Sequence, residues 1–151
     1  MEMKNDAAVE SFSFADFEEA ETGNMTVAVH GRPTNWVWTF AGPGHDKTIE
    51  QSNRLAKERL HQERQIEQQR VNGKKVKLPE EAVDDIRSRN VRMVVDRIVG
   101  WSPVKIDGED YAFTPDNAYK LLINPKRAGL LTQAMEFLAA ESSFTPRSAT
   151  S

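Results

Sequence analysis

Residues 94–122, VVDRIVGWSPVKIDGEDYAFTPDNAYKLL, contain the junction between two predicted helices. The apolar side chains at the start of this stretch continue a helical period, and Gly100 is typical of a residue that ends a helix. Trp101 follows at once, and a short turn is predicted around Asp107 and Gly108. We interpret the stretch as a helix–turn–helix unit. The Trp101 indole should fill the junction as a core residue, with its N–H group reaching a free carbonyl at the helix end.

The second helix of this unit is predicted to begin at Thr114, whose side-chain oxygen can accept a hydrogen bond from a free backbone N–H group. Pro115 occupies the first helical position, where proline is favoured. Asn124 predicts the start of a final helix, whose apolar face runs over residues 130–138. The last residues, 148–151, are polar and are predicted to fray.

Two more helices are predicted before the junction. Residues 48–69 are rich in Gln, Glu, Arg, Leu and Ala and carry only a narrow apolar stripe, which is typical of a mostly solvated helix. Its cap is assigned to Asp46 or Thr48, and Thr48 with Gln51 fits a capping box. Pro79 is predicted to open the next helix. That helix keeps its apolar period as far as the junction, although its β-branched residues would also suit a strand.

Residues 25–40 are interpreted as a β-hairpin, with turn chemistry over residues 30–35. Trp36, Trp38 and Phe40 then alternate with β-branched residues at the period of a strand. We expect this aromatic face to be buried against a helix, so that the two tryptophans are buried together or exposed together. A stacking platform for single-stranded nucleic acid is the alternative, but it would need basic residues on the same strand, and there are none between Trp36 and Phe40.

Residues 1–24 form an acidic N-terminal arm that is predicted to be partly flexible. The arm carries seven acidic side chains and one lysine. Phe12, Phe14 and Phe17 interrupt this polarity, and three unburied aromatic rings would make an exposed apolar patch. We expect them to pack on the domain or on a partner. Phe12 and Phe14 share strand parity, so the sequence SFSF also fits a short strand.

A basic segment, residues 54–77, carries eight Lys or Arg side chains against three Glu. Its ordinary interpretation is a solvated helix followed by a lysine-rich loop or small hairpin around Asn72 and Gly73. The functional alternatives are contact with the acidic arm, with an acidic partner or with phosphates. The helical part of the segment also holds Glu58, Glu63 and Glu67 against four Lys or Arg, and this near balance argues against nucleic acid as the partner.

Composition limits the classes of function. The 151 residues have a net charge of −3 and no cysteine, which excludes disulfides, thiolate metal sites and a cysteine nucleophile. No two of the three histidines share metal-ligand spacing, and the glycines before Lys47 lack the spacing of a phosphate-binding loop. No apolar run approaches the length needed to cross a bilayer. We therefore expect no enzymatic activity, no cofactor, no metal and no membrane contact.

The predicted fold class is α+β: an N-terminal β-hairpin or small antiparallel sheet, followed by a mostly α-helical region of three to four helices. One domain is expected over residues 25–147. The predicted core consists of large apolar side chains, namely Trp36, Trp38, Phe40, Trp101, Phe113, Leu121, Leu122 and Phe137. The candidate partner contacts are aromatic and basic side chains, namely Phe12, Phe14, Phe17, Arg54, Arg59, Arg64, Lys74 and Lys75.

Three stretches carry a resemblance to a known family. They read GRPTNWVWTFAGPGHDKTIEQSNRLAKERL at residues 31–60, IVGWSPVKIDGEDYAFTPDNAYKLL at residues 98–122, and LLTQAMEFLAAESSF at residues 130–144. In this order they resemble the tail assembly chaperones of long-tailed, siphovirus-like bacteriophages and prophages. The shared pattern is a strand ending in Gly-Pro, a polar Arg-rich helix, a helix ending in Gly-Trp, and a final helix before an aromatic residue. His45 and the glycine before it depart from the pattern, which concerns only a helix cap.

The resemblance implies a non-enzymatic protein of the host bacterial cytoplasm. Such a chaperone binds the tail-tube or tape-measure protein while the tail forms, and it is typically absent from the finished particle. Self-association is a further expectation. A structural virion protein, such as a tail, connector or decoration subunit, is the alternative. A nucleic-acid-binding protein is the third interpretation, and the balanced charge of the basic segment gives it little support.

Overall fold

The computed structural model describes residues 9–75 and 82–146. Within these ranges the elements are β1 (Thr22–Val29), β2 (Arg32–Ala41), α1 (Asp46–Val71), α2 (Val83–Arg97), β3 (Ile98–Trp101), β4 (Lys105–Ile106), β5 (Glu109–Asp110), α3 (Pro115–Ile123) and α4 (Ala128–Ala139). Short 3-10 turns cover Phe14–Phe17, Pro125–Arg127 and Glu141–Phe144. The α+β fold class is confirmed, with a small antiparallel sheet and, in these ranges, four helices. The helix start predicted at Pro79 and the fraying predicted for residues 148–151 lie outside the described residues.

The sheet has the strand order β1-β2-β3, and both pairs are antiparallel. The hairpin turn between β1 and β2 is His30 and Gly31 alone. Both residues adopt a positive φ, 48° and 82°, as in the mirror-image turns whose twist matches that of paired strands. The turn predicted over residues 30–35 is therefore too long, since β2 already begins at Arg32. β1 begins at Thr22, so the predicted arm loses its last three residues to the sheet.

The helix predicted to run up to Gly100 is confirmed as far as Arg97, but its predicted end is wrong. α2 ends at Arg97, and the β-branched run after it forms β3. β3 pairs with β2, so that Trp101 lies opposite Trp38 and Gly100 lies opposite Thr39. Only an extended segment can satisfy the backbone groups on the open edge of β2, and this tertiary pairing outweighs the helical period of the sequence. The junction is therefore a helix, a strand and a small hairpin before the next helix.

The turn predicted around Asp107 and Gly108 is confirmed. Both residues have a positive φ, 53° and 81°, and they join β4 to β5. The hairpin returns the chain to Trp101, whose indole N–H donates to the Tyr111 carbonyl oxygen at 2.9 Å. The acceptor predicted for this indole, a carbonyl at the end of the preceding helix, is wrong because α2 ends before the strand that carries the indole.

The caps predicted near the two C-terminal helices are confirmed. Thr114 Oγ1 accepts a hydrogen bond from the Asn117 backbone N–H at 3.0 Å, and Pro115 occupies the first turn of α3. Asn124 Oδ1 accepts from the Lys126 backbone N–H at 2.9 Å, in the 3-10 turn that leads into α4. Local side-chain oxygens thus satisfy the free N–H groups at both starts.

The cap predicted for α1 is wrong. His45 is the N-cap instead of Asp46 or Thr48, and its Nδ1 accepts from a backbone N–H of the first turn at 3.0 Å. The Thr48 hydroxyl donates to the Gly42 carbonyl oxygen at 2.7 Å. Gln51 is buried, and its amide donates to a backbone carbonyl of α2 at 3.0 Å. Both side chains of the predicted capping box therefore form hydrogen bonds outside α1 and do not cap the helix.

The core lies between the inner face of the sheet and helices α2, α3 and α4. Its buried apolar side chains are Met25, Val27, Trp38, Phe40, Val91, Val94, Val95, Ile98, Ala118, Leu121, Leu122, Leu131, Ala134 and Phe144. Four predicted core residues belong to this set, and the other four are partly buried against it, namely Trp36, Trp101, Phe113 and Phe137.

The two tryptophans of β2 contact each other, with ring centroids 5.3 Å apart, but they differ in burial. Trp38 has no exposed surface, whereas Trp36 is only partly buried, because β2 is covered progressively towards its C-terminal end. Both rings pack against the core, as expected for two tryptophans that are buried together, but Trp36 keeps part of its surface exposed. A stacking platform on this face is excluded, because Trp38 and Phe40 have no exposed ring surface for a base to stack on.

The two ends of the described chain meet beside the sheet. The Ala20 backbone N–H donates to the Phe144 carbonyl oxygen at 2.7 Å, and the Gly42 backbone N–H donates to the Glu21 carbonyl oxygen at 2.8 Å. At Gly23 a β-carbon would collide with a carbonyl oxygen of the last 3-10 turn, so this close approach requires glycine. The segment before β1 is thus anchored at its C-terminal end.

The outer edge of β1 is closed by a side chain of α4. The Gln133 amide oxygen accepts from the Ala28 backbone N–H at 2.9 Å, and its amide nitrogen donates to the Ala28 carbonyl oxygen at 2.8 Å. The strand pairing is irregular at this point, between Thr26 and Ala28. An open strand edge would offer these groups to another chain, and Gln133 occupies them instead.

Candidate partner-binding surface

α1 leaves the body of the domain soon after it begins. It has 26 residues, which corresponds to about 39 Å, and it extends further at both ends than the predicted residues 48–69. Gln51 is its one buried residue, and every side chain from residue 52 to residue 65 is exposed. Helices in proteins gain most of their stability from packing an apolar face. The solvated length of α1 is therefore the first candidate for a partner-binding surface.

Apolar side chains form a stripe along the exposed part of α1. Ile49, Ala56 and Leu60 are spaced by seven and four residues, so they lie within about 40° of one another around the helix axis. All three are exposed, Leu60 to 52%. Leu55 and Ile66 lie about 120° away on another side of the helix. We call the set Ile49, Ala56 and Leu60 the α1 stripe.

The arginines predicted as contacts do not share one face of α1. Arg54, Arg59 and Arg64 follow one another at intervals of five residues, which turns each by about 140° around the axis. Arg54 forms an ion pair with Asp96 of α2. Arg59 and Arg64 are exposed, and neither has an ion-pair partner among the described residues. The positive charge is therefore spread around the helix, which does not make a phosphate-binding face.

The two predicted lysines lie just beyond the end of α1. Asn72 ends the helix, and Gly73 turns the chain with a φ of +70°. Lys74 and Lys75 follow in an exposed position. The rest of the predicted lysine-rich loop, residues 76–81, lies outside the described residues. With Arg70 in the last turn, the far end of α1 is locally basic.

The three phenylalanines of the arm are exposed. Phe14 is 91% exposed, while the rings of Phe12 and Phe17 contact each other with centroids 5.3 Å apart. The strand predicted over SFSF is wrong, because Phe14–Phe17 is a 3-10 turn. Its start is stabilised by a hydrogen bond from the Ser13 backbone N–H to the Asp16 carboxylate at 2.8 Å. Packing of these rings on the domain is therefore also wrong, and contact with a partner stays a prediction.

A cleft beside β3 was not predicted from the sequence. It is lined by aromatic and small apolar side chains, with Trp101, Pro103, Tyr111 and Phe113 among them. The Trp101 and Tyr111 rings stack with centroids 5.9 Å apart, and the Tyr111 hydroxyl donates to the Asn117 carbonyl oxygen at 2.7 Å. The polar tips of both rings are thus engaged within the fold. The sequence feature that could have predicted this cleft is the set of aromatic residues on both sides of the Asp-Gly turn.

Among residues 9–75 and 82–146, two cations have shifted pKa values, and both have structural partners. Burial lowers the pKa of Arg97, whose guanidinium donates two hydrogen bonds to the Ala41 carbonyl oxygen at 3.0 and 2.7 Å and lies over the Phe144 ring. The hydrogen bond and the charge of Asp116 raise the pKa of Lys120. Arg97 therefore ties the end of β2 to α2 and to the C-terminal turn.

The described part of the chain offers neither a metal-binding cluster nor a helix that could span a membrane. No group of three His, Asp or Glu side chains there is placed to hold a metal ion. No helix in residues 9–75 and 82–146 is both long and apolar enough to cross a membrane.

The chain was compared with protein-family models, with curated protein sequences and with solved structures, and none of the three comparisons gives a match.

Proposed function

We propose that this chain is a non-enzymatic assembly chaperone that binds the tail-tube or tape-measure protein of a long-tailed bacteriophage in the host cytoplasm. The observation that carries the proposal is α1, a long helix with an apolar stripe that the domain does not cover. The resemblance over residues 31–60, 98–122 and 130–144 supplies the class of partner. Together they favour a protein whose exposed helix is completed by the subunit that it accompanies.

The size of the α1 stripe fits a contact that must later be released. Full burial of one large aliphatic side chain contributes about 1.5–3 kcal/mol. Ile49 and Leu60 are already about half covered, so a partner gains roughly 1.5–3 kcal/mol from the two together. Ala56, between them, allows the partner to approach the helix backbone closely. An amphipathic helix of this kind binds in an apolar groove of its partner.

Co-expression tests the proposal directly. The tagged chain is produced together with the tail-tube protein or the tape-measure protein of the same phage, and soluble complexes are isolated through the tag. Leu60→Glu places a charge in the α1 stripe and should weaken the complex roughly tenfold or more. Gln65→Glu is the matched control. It adds the same charge to the same helix about 140° away and should leave the complex intact.

Two results would contradict the chaperone proposal. One is that neither tail protein is retained by the wild-type chain. The other is that deletion of the gene leaves tails of normal length and number in electron micrographs of the phage. Equal loss of binding in Leu60→Glu and Gln65→Glu would place the contact elsewhere than the α1 stripe.

A structural virion subunit is the second candidate. The exposed phenylalanine turn favours it, because Phe14 is held in a defined turn on the surface and a permanent neighbour would cover it. Mass spectrometry of purified particles separates the two functions. A chaperone should be absent or present in traces, whereas a structural subunit should be present in stoichiometric amounts.

A further inference from the structure

Two exposed segments of the chain carry opposite charge. The described part of the arm, residues 9–21, contains five acidic side chains and no Lys or Arg, namely Glu10, Asp16, Glu18, Glu19 and Glu21. The far end of α1 and the residues after it, 64–75, contain Arg64, Arg70, Lys74 and Lys75 against Glu67. None of these side chains has an ion-pair partner among the described residues. We call the first segment the acidic arm and the second the basic tip.

The two segments also offer apolar surface to each other. Phe14 stands on the acidic arm and is 91% exposed. Val71 stands on the basic tip and is 76% exposed, in a shallow depression that it forms with Arg64, Glu67, Gln68 and Asn72. An aromatic ring on a segment of net negative charge is therefore matched by an aliphatic side chain on a segment of net positive charge. Charge-flanked apolar contacts of this type are a normal composition for a protein interface.

Within one chain, the acidic arm cannot bring Phe14 to Val71. Its C-terminal end is fixed beside the first turn of α1, because Glu21 is hydrogen-bonded to Gly42 and Gly42 to His45. From Glu21 back to Phe14 the chain spans at most about 20 Å, given the 3-10 turn that it contains. From the start of α1 to Val71 the helix rises by about 37 Å. The ring would therefore end about 17 Å short of Val71.

We propose that the acidic arm of one copy binds the basic tip of a second copy of this chain. Phe14 packs on Val71 of the other copy, and the carboxylates that follow the phenylalanines face Arg70, Lys74 and Lys75. The proposal does not depend on the chaperone function, because it uses neither the α1 stripe nor a tail protein. Every copy carries one arm and one tip, so the contact closes either as a reciprocal dimer or as a ring, or it continues as a chain of copies.

Charge reversal with a rescue tests the proposal on the full-length chain. One variant combines Glu18→Lys with Glu19→Lys, and the other combines Lys74→Glu with Lys75→Glu. Self-association is measured by sedimentation velocity between about 1 µM and 1 mM. The wild-type chain should associate more strongly at about 0.05 M than at about 0.5 M salt, because exposed charges are screened by salt. Each variant alone should associate roughly tenfold more weakly or worse.

The mixture of the two variants gives the decisive result. In an equimolar mixture the reversed arm of one variant meets the reversed tip of the other, while the unreversed arm and tip also form a matched pair. Association should therefore return to within roughly threefold of the wild type. The control is Lys57→Glu with Lys126→Glu, which makes the same change in net charge as the Lys74→Glu and Lys75→Glu variant, at exposed positions outside both segments. It should associate as the wild type does.

Circular dichroism must show that all variants keep the helical content of the parent. A wild-type chain that sediments as a monomer at every concentration overturns the proposal and leaves the acidic arm to a different protein. Association that survives both reversals, or that fails to return in the mixture, also overturns it. Equal weakening by the control would assign the effect to net charge, and the arm-to-tip contact would again be wrong.

Discussion

Replacement of Trp101 by alanine should lower the free energy of unfolding by about 3–4 kcal/mol. The indole is partly buried and contacts four aromatic rings at centroid separations between 5.0 and 5.9 Å. Truncation of a large aromatic side chain in a core costs about 3–5 kcal/mol, and partial exposure places Trp101 near the lower limit. Loss of the hydrogen bond to the Tyr111 carbonyl oxygen adds about 1 kcal/mol.

The surroundings of the indole keep the cavity from closing. Trp101 stands on β3, which is paired with β2, and Tyr111 follows the β4–β5 hairpin. Because both backbones are held by hydrogen bonds, they cannot collapse far into the empty space. Trp101→Phe separates the two contributions. It keeps a ring but loses the N–H donor, and should cost about 1–2 kcal/mol.

Urea unfolding followed by far-ultraviolet circular dichroism measures these changes. Phe14→Ala is the matched control, because it also removes an aromatic side chain but from an exposed position, and it should change stability by about 0.5 kcal/mol at most. The difference in acrylamide quenching between the wild-type chain and Trp101→Phe gives an independent readout of whether the Trp101 indole is shielded. If Trp101→Ala proves as stable as Phe14→Ala, the assignment of Trp101 as the residue that joins the sheet to the hairpin is refuted.

Three further substitutions test contacts at the edges of the sheet. If the midpoint of urea or thermal unfolding is unchanged in one of them, the contact named for that substitution does not stabilise the fold. Gln133→Leu removes both hydrogen bonds to Ala28 and should cost about 1–3 kcal/mol in urea, with more aggregation because the edge of β1 is opened. Gly23→Ala places a methyl group against the last 3-10 turn and should cost roughly 1–3 kcal/mol, with faster amide hydrogen exchange in that turn. Arg97→Lys keeps the charge but loses the paired donation to the Ala41 carbonyl oxygen, and the thermal midpoint should fall by about 3 °C.

Features set by neighbouring residues were predicted correctly from the sequence. The α+β class follows from the change of period between residues 25–40 and the helical segments. The cap at Thr114 and the turn at Asp107 and Gly108 depend on side-chain oxygens and on backbone conformations that only a few residue types favour. Such signals are complete within four or five residues, so no tertiary information is needed to interpret them.

The errors fall where distant parts of the chain compete for the same residues. Ile98 and Val99 fit a helix by period and a strand by branching, and the unpaired edge of β2, far away in sequence, decides between them. Gln51 fits a capping box by sequence, but in the fold its amide donates instead to a carbonyl oxygen of α2. In each case the winning interaction involves a partner that the local sequence does not contain.

The candidate surface could be predicted in part. The narrow apolar stripe of residues 48–69 is visible in the sequence as a helix with too few apolar residues to be buried. The exposed phenylalanines are also visible as an anomaly in an acidic segment. The arm's distance from the basic tip could not be predicted, because it depends on the bond between Glu21 and Gly42 that anchors the arm at the start of α1.

The meeting of the two chain ends has a consequence for synthesis on the ribosome. The β1–β2 hairpin is complete by Ala41, but its aromatic face is covered by helices that are translated later and by Phe144, near the C-terminal end of the described chain. At roughly 5–20 residues per second, translation leaves Trp38 and Phe40 without their covering for about 5–20 s. During this interval the nascent hairpin exposes an apolar surface on which other nascent chains can aggregate. The acidic side chains ahead of β1 leave the ribosome before the hairpin, and their like charges repel neighbouring copies of the same segment.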